Sequence, residues 1–155
     1  MIKINVITRN ISWFKYIKNP NRYIDRKVSK LNIKNKKLVN KSIYCTLLLS
    51  GEKEIKSLNK KFRKKNKSTD VLSFPFYPKK DLNKRLIHDK EIYIGDIIIN
   101  LNKIKQKTKS ENFKTEFDNL WIHGLVHLFG HDHKKEKDYL IMNKLEKKYS
   151  RFINE

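Results

Sequence analysis

Four of the five histidines of this 155-residue chain fall within residues 123–133. His123 and His127 are four residues apart, which on a helix places both side chains on one face with Cβ atoms about 5–6 Å apart. Two imidazoles so placed can reach one metal ion at roughly 2.0–2.1 Å. Gly130 suits a helix end, because glycine adopts the left-handed C-cap conformation without steric cost. The chain can then reverse, so the spacing predicts a metal site formed by His123, His127 and His133.

Three imidazole ligands leave a fourth coordination position open, which is typical of a catalytic zinc site rather than a structural one. A ligand set of nitrogen atoms favours zinc over magnesium or calcium, and zinc lowers the pKa of water to about 7. We therefore expect one zinc ion that supports hydrolysis. The alternative, histidines that merely pack in the core, accounts poorly for this spacing. His131 is expected to point away from the ion, and Asp132 either orients a ligand histidine or holds the turn.

The residue after the first histidine limits the reaction class. Metzincin peptidases carry the pattern H-E-x-x-H-x-x-G-x-x-H, in which the glutamate after the first histidine is the general base. Here that position is Gly124, which has no side chain. The sequence therefore disfavours hydrolysis of peptide bonds and identifies no general base beside the site.

A small sheet must carry this site. Alternating or continuous apolar residues predict four strands, at residues 2–7, 42–49, 71–74 and 92–99. Gly95 lies within the last strand and indicates a bulge or a close backbone approach. Cys45, the one cysteine of the chain, lies in the second strand, where we expect it to be buried; it can form no intrachain disulfide and no cysteine cage for zinc.

Apolar residues at helical spacing predict the remaining elements. Four helices are expected: one around residues 23–31, a second that follows Gly51, a third from about Glu111 to Gly130, and a last from about Lys135. Their expected core residues are, in this order, Tyr23, Ile24, Val28 and Leu31; Ile55, Leu58 and Phe62; Phe113, Phe117, Leu120 and Leu128; and Leu140, Leu145, Tyr149 and Phe152. Residues 76–90 are expected to form an exposed loop. Together these elements predict one α/β (α+β) domain over residues 1–155, with helices packed on a central sheet of about four strands.

The charge of the chain points to an anionic partner. Lys and Arg number 37 against 16 Asp and Glu, for a formal net charge of +21. Such a field attracts polyanions, of which nucleic acid is the commonest, although a coding sequence biased towards Lys, Asn and Ile also contributes to the excess. No segment has the length of a membrane span or the pattern of a signal peptide, so we expect a soluble, cytoplasmic protein without an organic cofactor. The oligomeric state is left open.

Three blocks of the sequence resemble one known family. Residues 123–133, the segments Leu58–Lys64 and Ser68–Pro75, and Gly95–Ile97 are similar, in the same order, to the motifs of the YbeY family. These are bacterial zinc-dependent endoribonucleases of ribosomal RNA maturation. With the elements between them, the blocks cover most of residues 42–146. One departure is visible, because the family usually has tyrosine at the position of His131.

The resemblance implies a function and a site. It implies one zinc ion held by His123, His127 and His133, an arginine needed for activity at Arg63, and work on the 3′ end of small-subunit ribosomal RNA and in ribosome quality control. The residues alone leave Arg63 open between a solvated cation at a helix end and a planar clamp on a scissile phosphate.

Two further questions stay open at this point. Asp70 and Asp96 either line the cleft or hold a turn or strand end, and neither is predicted to be catalytic. The second hypothesis for the whole chain is a ribosome-associated RNA-binding assembly factor whose zinc is mainly structural. The absence of a glutamate at position 124 favours that alternative, because no strong general base is evident.

Overall fold

Four strands and five α-helices make up the computed structural model, which describes residues 1–38 and 40–155. The strands are β1 (Ile2–Thr8), β2 (Ser42–Ser50), β3 (Val71–Pro75) and β4 (Glu91–Asn100). The α-helices are α1 (Pro20–Lys34), α2 (Glu52–Arg63), α3 (Lys79–His88), α4 (Ser110–Leu128) and α5 (Glu136–Asn154). Within the described residues, no helix combines the length and the apolar character needed to cross a membrane.

The strands form one sheet in the order β1-β2-β4-β3. Neighbouring strands β1, β2 and β4 are parallel, whereas β3 is antiparallel to β4 and lies at the edge. Alternate residues of β1 and β2 are buried, with Ile4 opposite Cys45 and Val6 opposite Leu47. This alternation is the period of two expected of strands with one face in the core and the other only partly covered. The predicted class, a four-stranded α/β sheet with helices packed on it, is confirmed, and Cys45 is buried as expected.

The two faces of the sheet carry different helices. Ile97 and Ile98 point to opposite faces because successive side chains of a strand alternate. Gly124 of α4 packs against Ile97, so closely that a Cβ atom on it would lie 2.6 Å from the Ile97 Cγ2. Ile98 packs instead with Ile55 of α2 and Leu72 of β3. The long helix α4 therefore covers one face, together with α1 and α5, and α2 covers part of the other.

A β-bulge at Gly95 brings β3 close to β4. Tyr44 pairs with Tyr93 and Cys45 with Gly95, so Ile94 is the extra residue of β4. Gly95 has a φ of +132°, and a Cβ there would lie 2.1 Å from the carbonyl oxygen of Phe74. A residue with a side chain would meet both a strained backbone and a clash with the neighbouring strand. The predicted bulge and the predicted close approach are both confirmed.

Three predictions about individual elements are wrong. The expected loop over residues 76–90 contains α3, a polar helix that follows Pro78 and buries Leu82. Phe62 and Leu140, expected in the core, are each 59% exposed. Phe62 lies in the last turn of α2, where its ring contacts Phe74 of the edge strand and otherwise faces solvent. Leu140 lies two positions before the buried Met142, about 200° around α5, and so faces away from the core.

A buried carboxylate holds α4 against α1. Asp118 accepts hydrogen bonds from the Tyr23 hydroxyl at 3.0 Å and from the Trp121 Nε1 at 2.9 Å. The Lys27 ammonium lies 2.9 Å from the same carboxylate. Asp118 is thus a buried charge whose oxygens are paired, as burial of a charge requires. The contact fixes the N-terminal half of α4, and with it the direction in which its C-terminal histidines point.

Candidate metal centre

The last two turns of α4 and the turn after it bring three histidines together. His123, His127 and His133 each offer a ring nitrogen, and these atoms all lie within 4.8 Å of one another. The Nε2 atoms of His123 and His127 are 3.1 Å apart. Two nitrogen ligands of one tetrahedral ion at roughly 2.0–2.1 Å would lie about 3.3 Å apart. The spacing of the donors matches a single metal ion.

The other ring nitrogens define which tautomer each histidine adopts. The Nδ1–H of His127 donates to the carbonyl oxygen of His131 at 2.9 Å, and the Nδ1–H of His123 donates to the Glu146 carboxylate at 2.8 Å. A carbonyl and a carboxylate can only accept, so in the neutral rings both Nε2 atoms carry lone pairs. Two lone pairs that face each other at 3.1 Å require a cation between them. The third donor, from His133, suits a metal ion rather than a shared proton.

The environment keeps His127 ready to bind metal. Burial, followed by the neighbouring His123, lowers the pKa of His127 from its ordinary value of 6.5 to about 4. The ring is therefore neutral at pH 7, and a metal ion does not have to displace a proton from it.

The chain reverses after α4 through a Schellman motif. The N–H of His131 donates to the carbonyl of Val126, and the N–H of Gly130 donates to the carbonyl of His127. Gly130 has a φ of +83°, the left-handed conformation that this motif demands and that glycine adopts most readily. Asp132 then accepts a hydrogen bond from the backbone N–H of His133 at 2.7 Å. The motif brings His133 back to His123 and His127, and it places the His131 carbonyl oxygen where it accepts from the His127 ring.

A cleft of about 540 Å³ opens beside the histidines. Its walls combine His127 and His133 with the side chain of Arg63 from the end of α2. The Arg63 Nη2 donates to the carbonyl of Ser73 at 2.8 Å, and the guanidinium carbon lies 5.6 Å from the centre of the Phe74 ring. These contacts hold Arg63 across the edge strand β3, in the same cleft as two of the three histidines, and leave further guanidinium N–H groups for an anion.

The remaining predicted candidates are outside the group of three metal-ligating histidines. Asp70 accepts hydrogen bonds from Thr69 and from the backbone N–H of Val71, at the start of β3. Asp96 accepts from the Tyr93 hydroxyl at 2.6 Å. His131 lines the cleft, yet its ring is outside the group of three metal-ligating nitrogens, as expected.

Glu146 is the site residue that the sequence did not reveal. It comes from α5, 23 residues after the histidine that it contacts. The one local signal is its place beside Leu145 and Tyr149, on a helix side that packs against the core. The Glu146 carboxylate forms a contact between α5 and α4, and a contact between two helices leaves no local pattern in the sequence.

A larger hollow, of about 770 Å³, lies at the opposite end of α4. Lysines and arginines of residues 15–26 line it together with Ser110 and Lys114. Among the residues that the structure describes, the group able to hold a metal ion is His123, His127 and His133, and none of these borders that hollow. Donor chemistry, and not cavity size, therefore identifies the candidate site.

Comparisons with known proteins agree with one another. The family model described as Endoribonuclease YbeY matches residues 6–154. The endoribonuclease YbeY of Pelagibacter ubique (strain HTCC1062) is 44% identical over 156 residues, which cover 99% of this chain and 97% of that protein. The endoribonuclease YbeY of Ehrlichia canis (strain Jake) is 34% identical over 153 residues, with coverage of 94% and 88%.

A solved structure has the same fold. The solution structure of TM1509 from Thermotoga maritima superimposes with a TM-score of 0.62 at 25% identity, and covers 97% of this chain and 89% of that chain. Matching by family model, by sequence and by structure extends over nearly the whole length in each case. The chain belongs to the endoribonuclease YbeY family.

Proposed function

We propose that the chain is a zinc-dependent endoribonuclease that hydrolyses phosphodiester bonds of ribosomal RNA. Its expected work is maturation of the 3′ end of the small-subunit RNA and ribosome quality control, in the cytoplasm, with residues 1–155 acting as one domain. The observation that carries the proposal is the pair of Nε2 lone pairs facing each other at 3.1 Å, with a third imidazole beside them. The relatives' name, endoribonuclease, supplies the class of reaction.

The donor set supports zinc as the metal. Three imidazole nitrogens suit zinc, whereas magnesium and calcium prefer oxygen ligands. When bound, zinc supplies a Lewis acid and lowers the pKa of water to about 7. The chain contributes the orientation of the ligands, through Glu146 on His123 and the His131 carbonyl on His127.

Arg63 is proposed to bind the scissile phosphate. The hydrogen bond to Ser73 and the Phe74 ring hold its guanidinium at the cleft wall, so little side-chain entropy is lost when an anion binds. A planar, permanently charged fork can donate two hydrogen bonds to a phosphate and stabilise the charge that develops on it. Lys65, Lys79 and Lys134 line the same cleft and suit contacts to the RNA backbone that do not depend on base sequence.

The test combines zinc content with cleavage. Purified protein and the variants H127A, R63A and R63K are analysed for bound zinc by mass spectrometry, and for cleavage of an RNA that spans the 3′ end of the small-subunit RNA. We expect H127A to lose both zinc and cleavage. R63A keeps zinc and loses about 10²-fold or more in cleavage rate, as when one charge-stabilising donor is removed. R63K restores part of the rate, because it returns the charge without the fork.

A chelator and added zinc separate the enzyme from the assembly factor. Cleavage that stops with the chelator and returns with zinc supports the endoribonuclease. If zinc-loaded protein binds the RNA and leaves it intact, the zinc is mainly structural and the assembly-factor hypothesis takes its place. Full cleavage by metal-free protein would contradict both.

A further inference from the structure

The hollow at the N-terminal end of α4 carries a concentration of positive charge. It has a volume of about 770 Å³, and the buried side chains of Ile17 and Tyr23 are among those that line it. Within the described part of the chain, one acidic residue lines it, Asp25. The cationic residues that line it are Lys15, Lys18, Arg22, Arg26 and Lys114. We name this site, with its five cations, the basic hollow.

Contacts between three segments hold these cations together. The Tyr16 ring, which precedes α1, stacks on the Phe113 ring of α4 with centres 4.6 Å apart. The Tyr23 hydroxyl of α1 donates to the Asp118 carboxylate of α4 at 3.0 Å. The backbones that carry the five cations are therefore fixed relative to one another, and their like charges repel. A bound anion would offset that repulsion.

The arginines of the basic hollow differ from the others in their pairing. The chain has six arginines, of which three lie within 3.5 Å of a carboxylate: Arg9, Arg85 and Arg151. The Arg63 guanidinium donates to the carbonyl of Ser73. Arg22 and Arg26, four residues apart on one side of α1, form neither an ion pair nor a side-chain hydrogen bond with any other residue that the structure describes. Two guanidinium groups of the hollow can therefore bind an anion without losing a partner.

The basic hollow and the metal centre lie at opposite ends of α4. Ser110 lines the hollow, and His127 of the metal centre lies 17 residues further along the helix, which corresponds to about 26 Å. At about 3.4 Å of axis per phosphate, as in duplex DNA, a nucleic-acid strand covers this distance with about eight nucleotides. One RNA can therefore contact both places, whereas one phosphate cannot.

A phosphate backbone suits the basic hollow better than an acidic protein does. A guanidinium donates paired hydrogen bonds to a phosphate, and lysines attract the backbone without regard to base sequence. An RNA held in the metal cleft also reaches the hollow as part of the same molecule, at a high effective concentration. An acidic protein would have to bind there through the hollow alone.

We propose that the basic hollow binds the phosphate backbone of the RNA substrate, several nucleotides away from the bond that is cleaved. This inference rests on the proposed function and adds to it a second region of RNA contact, at the far end of α4. The hollow contributes affinity, while Arg63 and the histidines act on the phosphodiester bond.

The test measures RNA affinity as a function of salt concentration. Zinc-loaded protein is titrated into a labelled single-stranded RNA of about 20 nucleotides, longer than the eight or so that span α4. Fluorescence anisotropy gives the affinity, and a gel shows that the RNA is intact. We expect R22Q/R26Q to weaken binding and to lower by about 1.4 the slope of log affinity against log salt concentration, because each phosphate contact of a single strand contributes about 0.7. D25N, which removes the acidic group, strengthens binding, an effect that no folding defect produces.

A matched variant separates the hollow from the charge of the whole protein. K144Q/K148Q removes two exposed cations that are likewise four residues apart, on α5 and outside both the hollow and the cleft. We expect its slope to equal that of the unaltered protein. Glutamine forms helices about as well as arginine and lysine, so neither double variant is expected to unfold its helix.

Two outcomes overturn the inference. One is an R22Q/R26Q variant with the affinity and slope of the unaltered protein, as an acidic protein partner for the hollow would predict. The other is an equal fall in slope for both double variants, which would indicate the general field of the protein. Because affinity is measured apart from cleavage, the two proposals can fail separately. Binding that depends on Arg22 and Arg26 without any cleavage contradicts only the proposed enzyme, and cleavage with normal R22Q/R26Q binding contradicts only the basic hollow.

Discussion

Glu146 and the His131 carbonyl decide which nitrogen each of two histidines presents to the cleft. Each accepts from an Nδ1–H, at 2.8 Å and 2.9 Å respectively, and so leaves the Nε2 atoms of His123 and His127 unprotonated. Partners of this kind orient the ring and raise the basicity of the ligand nitrogen. Glu146 adds a negative charge to that effect, which the carbonyl does not.

The first prediction at this scale concerns zinc affinity. We expect E146Q to raise the dissociation constant for zinc by about 10- to 100-fold, the usual effect of removing such a partner. Competition with a chromophoric chelator measures it without reference to catalysis. The control E136Q changes an exposed glutamate in the first turn of the same helix and should leave the affinity unaltered. Equal affinities in E146Q and the unaltered protein would mean that the contact does not orient the ligand.

The second concerns the stability of metal-free protein at low pH. His127 has a pKa of about 4 when folded, lowered by burial and by His123, against an ordinary value of 6.5. Between these pH values the unfolded state binds a proton that the folded state does not. The stabilisation is therefore fully present above about pH 6.5 and is lost as the pH falls towards about 4.

Urea unfolding in the presence of a chelator measures that effect. The free energy of unfolding is determined at about pH 7 and about pH 4.5 for the unaltered protein and for H127N, which does not titrate in this range. We expect the fall with pH to be smaller in H127N. An identical fall in both proteins would show that other groups, chiefly carboxylates, account for it.

Among the elements, α4 is anchored through its first half and carries metal-ligating histidines in its last two turns. Its N-terminal half is held to α1 through Asp118, Tyr23 and Lys27, and its last turns carry His123 and His127. The helix is thus a rigid arm whose anchor lies about one and a half turns before His123 and about two and a half turns before His127. Damage to the anchor is expected to reduce stability before it alters the spacing of the ligands.

The third prediction tests this anchor. D118N removes the charge and keeps the shape, which leaves the nearly buried ammonium of Lys27 without its partner. Loss of one member of a buried ion pair costs about 3–5 kcal/mol, so we expect a decrease of about 3 kcal/mol in the free energy of unfolding. Urea denaturation of metal-free protein measures it, and E111Q, an exposed change in the first turn of α4, serves as control. A decrease no larger than that of the control would contradict the role of Asp118.

For the molecule as a whole, local patterns were sufficient for most of the fold. The four strands were predictable because strands that pack against a core carry alternating or continuous apolar residues over several positions. The helix α3 was not, since it buries Leu82 within an otherwise polar sequence and has little apolar periodicity to detect. The site divides in the same way. The histidines and Gly130 depend on local spacing, whereas the contacts of Arg63 with Ser73 and of Glu146 with His123 arise from packing between distant segments.

The location of the positive charge is a second property that only the folded structure shows. The net charge of +21 predicts an anionic partner but gives no location. In the fold, Arg63, Lys65, Lys79 and Lys134 converge on the cleft beside the histidines. The cleft is therefore positive even before a metal ion binds.

Gly124 has a consequence for the reactions to which this site could be converted. A Cβ atom at that position would lie 2.6 Å from Ile97, in the layer between α4 and the sheet. The glutamate that serves metzincin peptidases at the equivalent position could not be accommodated by one substitution, because it would push the ligand-bearing helix away from its support. A smaller residue in place of Ile97 would have to accompany it. The packing of one helix on one strand thus excludes from this site the glutamate that distinguishes a peptidase with the same histidine spacing.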